Sequence, residues 1–359
     1  MLKRMSRFYP IVGDVEPIDE YLPGGYHPVH LREIIHRRYD VLYKWGYDQY
    51  STSWVANDMS LGKLVTLRIF KAVIPGDCQE LDMLLHLSNQ DQHHPGHNHV
   101  LRLRDQFTHI GPNGGHLCHV FPLIMSDGGQ MSVRKILRHS DYVGKVSEQI
   151  LLGLEYLHRQ GFIHGDLQPA NILFTVDMSF SDLKTTEGEY IPVVWLPGVI
   201  QDRYVPRYLM SSPKLCGMLE DADPSTLIVK VGALGRGHIC IPVMPIAFRA
   251  PELIEQNSWS EKVDIWAIGC LIFQLATHQP LFPLETSCPA DVALERLRSY
   301  VDDLFEFGYQ GFAVSIIERL PTGFGKEEEF ADFLWSTLQE HPESRGSIPE
   351  LLDHSFLKD

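Results

Sequence analysis

The sequence predicts an α+β protein of two lobes: a small lobe built on an antiparallel sheet with one main helix, then a larger helical lobe. Three observations predict it. From Tyr39 to about Phe121 the chain runs in short β-type segments with a single helical stretch among them. Beyond "LIMSDGGQMS" helical periodicity takes over. Between the two strongest helical segments lies "HGDLQPANILF" (His164–Phe174), a polar loop held between short apolar runs.

The elements follow in chain order. Residues 1–37 contain "VEPIDEYLPGGYHPVHL", rich in Pro, Gly and Tyr without a clear period, and read as an extension lying on the first lobe. The β-type runs "YDVLYKW", "YSTSWVAND", "LVTLRIFKA", "HVLRLRDQF" and "HLCHVFPL" set the small lobe at 38–122. "DCQELDMLLHLS" is the helix among them, with Leu81, Leu84 and Leu85 on one face. The larger lobe, 123–359, contains "YVGKVSEQILLGLEYLHRQG". There Val143, Val146, Ile150, Leu151, Leu154 and Leu157 recur at i, i+3, i+4 spacing, and Gly161 supplies a helix stop. "VDIWAIGCLIFQLAT" is apolar nearly all round, the pattern of a helix buried inside a lobe. Residues 176–224 carry Pro, Asp and Ser without a strong period and read as an insertion, partly mobile.

Composition bounds the function. The 359 residues suffice for two cores, and 44% hydrophobic content with 10% aromatics is that of a folded chain. No apolar run approaches the roughly 20 residues of a membrane span, so no membrane partner is expected. The start, "MLKRMSRFYP", has no apolar signal-peptide core, and a cytoplasmic or nuclear protein is expected. Six scattered cysteines without a CxxC pair argue against a disulfide framework and a structural zinc site. The segment "HHPGHNH" gathers His93, His94, His97 and His99, but interrupted by Pro and Gly it reads as a polar loop before a strand. With 31 Lys+Arg against 46 Asp+Glu the formal charge is −15, so direct nucleic-acid binding is not expected. Such acidity favours a basic partner, or serves solubility alone. A monomer is expected.

The central loop carries one acid, Asp166, and one amide, Asn171. That combination suits phosphoryl transfer, with an acid to orient a hydroxyl and a carboxamide for a metal. Around it, "GGYHPVHL", "STSW", "NGGHLCHVFPL" and "GLEYLHRQGFIHGDLQPANIL" occur in an order and spacing similar to the SR-protein-specific kinase family, including its fungal relatives. The resemblance runs from about residue 15 to "PESRGSIPELLDHSFL" and weakens over the insertion.

What the resemblance implies is a bilobal kinase fold, ATP and Mg²⁺ as cofactors, and basic Arg/Ser-rich proteins as partners. It puts Asp166 at the catalytic acid and Asn171 at a magnesium ligand. Gln168 stands where a lysine normally steadies the transferring phosphoryl, which removes a positive charge where negative charge develops. In the glycine-rich hairpin "WGYDQYSTSW", Gly46 keeps the first position, Asp48 replaces the second glycine and Ser51 sits at the third. Asp48 would hold a carboxylate near a triphosphate, and an ordinary hairpin without ligand is the other reading of that stretch. Arg68 occupies the position of the strand lysine, with Glu80 as the matching helix acid, and the Arg-for-Lys exchange is not conservative. Lys71 is expected to face solvent. Phe121 matches the gatekeeper, with Pro122 and Ile124 as hinge groups for an adenine ring. Ala233, in "GALG" with Gly235, stands where an aspartate would hold Mg²⁺, and its methyl offers no oxygen. Gly165 occupies the place of an arginine that receives an activation-loop phosphate, and "RGHICIPVMPIAFR" (236–249) contains no Ser, Thr or Tyr. Scaffold positions are kept: Glu252 and Arg345 match the pair pinning the activation segment, and Asp264 the acid anchoring the catalytic loop.

Two functions follow. One is a pseudokinase, catalytically weak or inactive, that binds basic Arg/Ser-rich partners and retains at most a weak ATP site. The alternative is an active serine/threonine kinase transferring the ATP γ-phosphoryl to serines of such proteins. Ala233, Asp48, Arg68 and Gln168 weigh toward the first, since each alters a phosphate or metal contact.

Overall fold

A computed structural model of the chain describes residues 7–73, 79–88, 93–134, 139–176, 189–212, 227–232, 244–255, 258–284 and 288–358. In chain order the strands are β1 (Ile34–Ile35), β2 (Tyr39–Tyr47), β3 (Ser51–Asp58), β4 (Lys63–Phe70), β5 (Asp105–Gly111), β6 (Gly114–Pro122), β7 (Ile124–Asp127), β8 (Ile172–Thr175), β9 (Tyr190–Pro192), β10 (Tyr208–Met210) and β11 (Ile228–Val231). The helices are α1 (Gln79–Ser88), α2 (Gly128–Arg134), α3 (Ser140–Arg159), α4 (Pro251–Ile254), α5 (Lys262–Thr277), α6 (Ala290–Phe305), α7 (Gly308–Ile317), α8 (Glu327–Thr337) and α9 (Ile348–Leu352). They fall into two compact units.

Unit one takes Met1–Cys78, Arg102–Ile124 and Val176–Gly217. Its sheet is antiparallel, in the order β1-β2-β3-β4-β6-β5. Val41, Trp54, Ala56, Val65, Leu67, Ile69, Cys118 and Val120 form its core. Apart from Leu67 these are β-branched, aromatic or small residues that fit a pleated, half-buried surface. Register shifts in β2 at Val41/Tyr43 and Lys44/Gly46 mark bulges just before the hairpin tip.

The described part of the insertion, residues 189–212, belongs to this unit. β9 and β10 pair antiparallel, and Tyr9 N–H donates to Val194 O (3.0 Å) while Leu196 N–H donates to Arg7 O (3.0 Å). Phe8 packs on Trp195 at 4.7 Å between ring centroids, and Phe8, Tyr21, Tyr26, Val205 and Leu209 make a second core cluster. The segment read as partly mobile thus contains, at Glu189–Ser212, a hairpin packed on the N-terminal extension. Its period is hidden because two three-residue strands are too short to show alternation. Buried Glu16 pairs with Lys44 and accepts the Tyr21 hydroxyl, tying the extension to β2. Burial brings the Lys44 ammonium down to about 7. Lys71 does not face solvent as expected: its ammonium reaches Glu20 at 3.0 Å and lies 4.2 Å from the Tyr26 ring centroid.

Unit two takes Gln79–Leu101, Met125–Thr175 and Met218–Asp359. Its three-stranded sheet has the order β11-β8-β7. The run "HVLRLRDQF" is divided rather than a single strand: Val100 bridges Val231 in unit two, and the strand β5 starts only at Asp105. α1 buries Met83, Leu84 and Leu87, whereas Leu85 is 38% exposed, so the apolar face is displaced from the expected one. Leu87 O accepts the Tyr156 hydroxyl of α3 at 3.0 Å, which sets that orientation. α3 follows the predicted spacing and ends at Arg159, just before Gly161, whose φ of 79° suits glycine. α5 is buried along almost its whole length.

Arg345 is buried and bidentate to Glu252 (2.7 and 2.7 Å), with further donations to Lys262 O and Gln339 O. Removing one member leaves the other charged and uncompensated. Arg345→Met is therefore expected to destabilise the unit-two transition in urea by about 3–5 kcal/mol, and Arg345→Met with Glu252→Leu to recover most of the loss.

Candidate functional site

In unit two residues 161–168 have no regular secondary structure, so their backbone donors need partners. Asp264 of α5, fully buried, supplies them. His164 N–H donates to Oδ2 (2.8 Å), Gly165 N–H to Oδ1 (2.9 Å), and His158 Nε2 lies 2.8 Å from Oδ2. Burial alone would push this carboxyl up; the His158 hydrogen bond and charge, His164 and the Gly165 N–H outweigh it and hold it below the usual range. Gly165 sits at φ 66°, a conformation glycine adopts freely. Asp166 N–H donates to His164 Nδ1 (3.2 Å), so His164 Nε2 carries the proton that reaches Gly232 O (2.7 Å).

That frame brings Asp166, Gln168 and Asn171 together. Gln168 Nε2 donates to Asp166 Oδ1 (2.7 Å). Asn171 Nδ2 donates to Asp166 O (2.7 Å) and to Oδ2 (3.1 Å). Both carboxylate oxygens therefore accept an amide hydrogen. Asn171 keeps its Oδ1 as the oxygen it could offer a cation.

Unit one holds the hairpin, the strand cation and the hinge residues. Asp48 accepts from Tyr50 N–H (2.6 Å), Ser51 N–H (2.8 Å) and Ser51 Oγ (2.9 Å). Arg68 donates through Nη2 to Asp48 Oδ2 (2.8 Å) and through Nε to Ser51 Oγ (2.8 Å). Burial works against the Asp48 charge, but the Arg68 guanidinium and the Tyr50 and Ser51 donors hold its carboxyl below the usual range. Gly46 is open, with nothing within 4 Å of an added Cβ. Phe121 is buried on β6, and Pro122 ends that strand.

One group here escaped the sequence reading. Buried Thr66, two residues before Arg68, accepts the Ile124 N–H on Oγ1 at 2.9 Å. The signal was present: the kinase strand signature V-A-I-K reads Val65-Thr66-Leu67-Arg68, a hydroxyl in place of a methyl. The Glu80 side chain, Ala233 and Gly235 lie outside the described residues. The described partners of Arg68 named above are both in its own unit.

Comparisons with known proteins place this geometry. A family model for the protein kinase domain matches residues 75–186 and 235–357. The chain belongs to the protein kinase family. A Physarum polycephalum serine/threonine-protein kinase SRPK is 27% identical over 96% of the chain and 91% of its own length. The Schizosaccharomyces pombe protein kinase dsk1 is 35% identical over 74% of the chain and 66% of its own length. A serine/threonine protein kinase of Aspergillus fumigatus is 30% identical over 76% and 68%. A crystallised kinase domain aligns with a TM-score of 0.60 at 19% identity, covering 92% of the chain and 98% of its own, which shows the fold. The kinase domain is thus of the SR-protein-kinase type, and a kinase domain is in general a fold for ATP and Mg²⁺.

His119 of this kinase pairs with Arg68 across β4 and β6 and is buried with neither ring nitrogen hydrogen-bonded among the described residues. Burial first, and Arg68 second, bring its pKa down to about 4. Unfolded, it titrates near 6.5. Between those values the unfolded chain binds a proton that the native one refuses, so stability is full above about pH 7 and falls toward pH 4. His119→Met is expected to reduce the loss of stability between pH 7 and pH 4.5 by about 2 kcal/mol, read from urea midpoints at the two pH values.

Proposed function

We propose that this chain is a pseudokinase of the SR-protein-kinase type, weak or inactive in phosphoryl transfer, that binds basic Arg/Ser-rich partners. The observation that carries the proposal is the Arg68–Asp48 pair. The cation that would meet the nucleotide phosphates is neutralised by the carboxylate standing in for the second glycine. A triphosphate would have to break a part-buried, charge-assisted pair and then lie beside the released carboxylate.

Two further features support it. Ile124 N–H, a hinge donor for adenine, already has an acceptor in Thr66. The Ala233 side chain has no oxygen for Mg²⁺, a cation that demands hard oxygen ligands. The residues thus fit neither the phosphates nor the metal well. The formal charge of −15 supports a basic partner by long-range attraction. On the other side stands the ordered Asp166–Asn171 loop, which favours residual transfer to a serine hydroxyl.

Thermal-shift titration tests the site. ATP is expected to raise the melting temperature little, and Mg²⁺ to add nothing. Asp48→Gly, which frees Arg68 and removes the like charge, is expected to tighten ATP on the order of tenfold or more. Radiolabel transfer to an Arg/Ser peptide tests the chemistry, with Asp166→Asn as control. Robust transfer that this control abolishes would overturn the pseudokinase reading.

A further inference from the structure

We propose that His27, Glu33 and His109 form a binding site for one divalent transition-metal ion, Zn²⁺ by the chemistry of the set, on unit one. Each residue offers one ligand atom, and the three atoms lie within 4.8 Å of one another. His27 Nε2 stands 3.7 Å from Glu33 Oε1, and the His27 and His109 rings are 4.5 Å apart between centroids. In a tetrahedral zinc site with bonds near 2.0–2.1 Å, neighbouring ligand atoms are about 3.4 Å apart. One pair already nearly meets that spacing. The remaining closure is a side-chain rotation of Glu33 and His109, both half-buried.

The strongest pointer is His27. It is only 3% exposed, and among the described residues neither ring nitrogen makes a hydrogen bond, Nε2 standing 3.7 Å from Glu33 Oε1. Buried polar groups are nearly always satisfied, so an imidazole kept in this state asks for a ligand. Its placement is built in: a Cβ on Gly111 would come within 2.3 Å of His27 Nδ1, so the ring sits where only glycine leaves room. Glu33 is held as well, because its second oxygen accepts His30 N–H at 3.1 Å. Such an outer hydrogen bond orients a ligating carboxylate. His116, opposite His109 in the β5–β6 register, anchors its ring through Nδ1 to Phe70 O (2.8 Å) and walls the site 5.0 Å from His27.

Two imidazoles and one carboxylate are a three-ligand zinc set that leaves a fourth position for water. The ion would join the N-terminal lead-in, at His27 and Glu33, to strand β5 of the sheet. Binding would therefore appear as stabilisation of unit one.

The test uses the full chain freed of metal by EDTA dialysis, then titrated with Zn²⁺. One zinc per chain with a rise in melting temperature is expected. Glu33→Gln and His109→Gln are each expected to weaken zinc binding by tenfold or more, with metal-free melting temperatures close to the parent's because both side chains reach the surface. If either variant loses its metal-free fold, Co²⁺ absorption of the parent, and its loss in the remaining variant, reads the same site. Absence of zinc binding would overturn the proposal. So would zinc retained with unchanged affinity in both variants, which would put it on another histidine cluster such as His93–His99.

Discussion

Everything in the catalytic-loop region depends on one buried carboxylate. Asp264 faces the loop from α5, the most deeply buried helix described, and binds two consecutive backbone N–H groups and an imidazole. Without it, His164 and Gly165 would leave orphan donors in a region with little water, which costs roughly 1–3 kcal/mol each. With it, the loop is registered to the core, and the order passes outward. His164 reaches Gly232, Asp166 leans on His164, and Asn171 closes back on Asp166. None of these contacts uses a phosphate or a metal. The loop can therefore stay ordered whether or not chemistry occurs on it.

Unit one has a comparable dependence on its N-terminal lead-in. Glu16 and Lys44 are both buried, an arrangement that is costly unless each satisfies the other. Their pairing, with Tyr21 as a third member, fixes the extension against β2. The β9–β10 hairpin then adds to that extension through Phe8 and Trp195, and Leu31 N–H donates to the Tyr208 hydroxyl at 2.9 Å. Segments far apart in sequence thus complete one another's hydrogen bonds. A short hairpin with little core of its own becomes stable by this docking.

Much of this was legible in the sequence where a single strong period or motif carries the information. α3 and α5 follow from i, i+3, i+4 spacing and from an unbroken apolar run, and Asp264, Glu252 and Arg345 from motif positions. Local pattern failed where partners are distant. The β9–β10 hairpin owes its order to Phe8, nearly two hundred residues earlier, and no window around Trp195 contains that fact. Lys71 looked solvent-facing because strand alternation was applied one residue beyond the strand, where Glu20 and Tyr26 of the extension cover it. Thr66 was visible as a residue but silent as a feature, since its meaning is the Ile124 N–H on another segment. Asp48 was read against an absent triphosphate, when its partner is Arg68 on the adjacent hairpin.

The way these exchanges satisfy one another bears on what the fold is for. Loss of a phosphate contact by chance leaves its former partners unpaired, and unpaired buried polar groups are costly. Here the exchanged residues pair among themselves or with kept ones. Asp48 takes up Arg68, Gln168 takes up Asp166, and Thr66 takes up the hinge N–H of Ile124. Each pairing satisfies a polar group within the protein, without a ligand. Such mutual consistency stabilises a single resting state. A scaffold that must present one fixed surface to a basic partner gains from that, while an enzyme that must open to ATP on every turnover would be slowed by it.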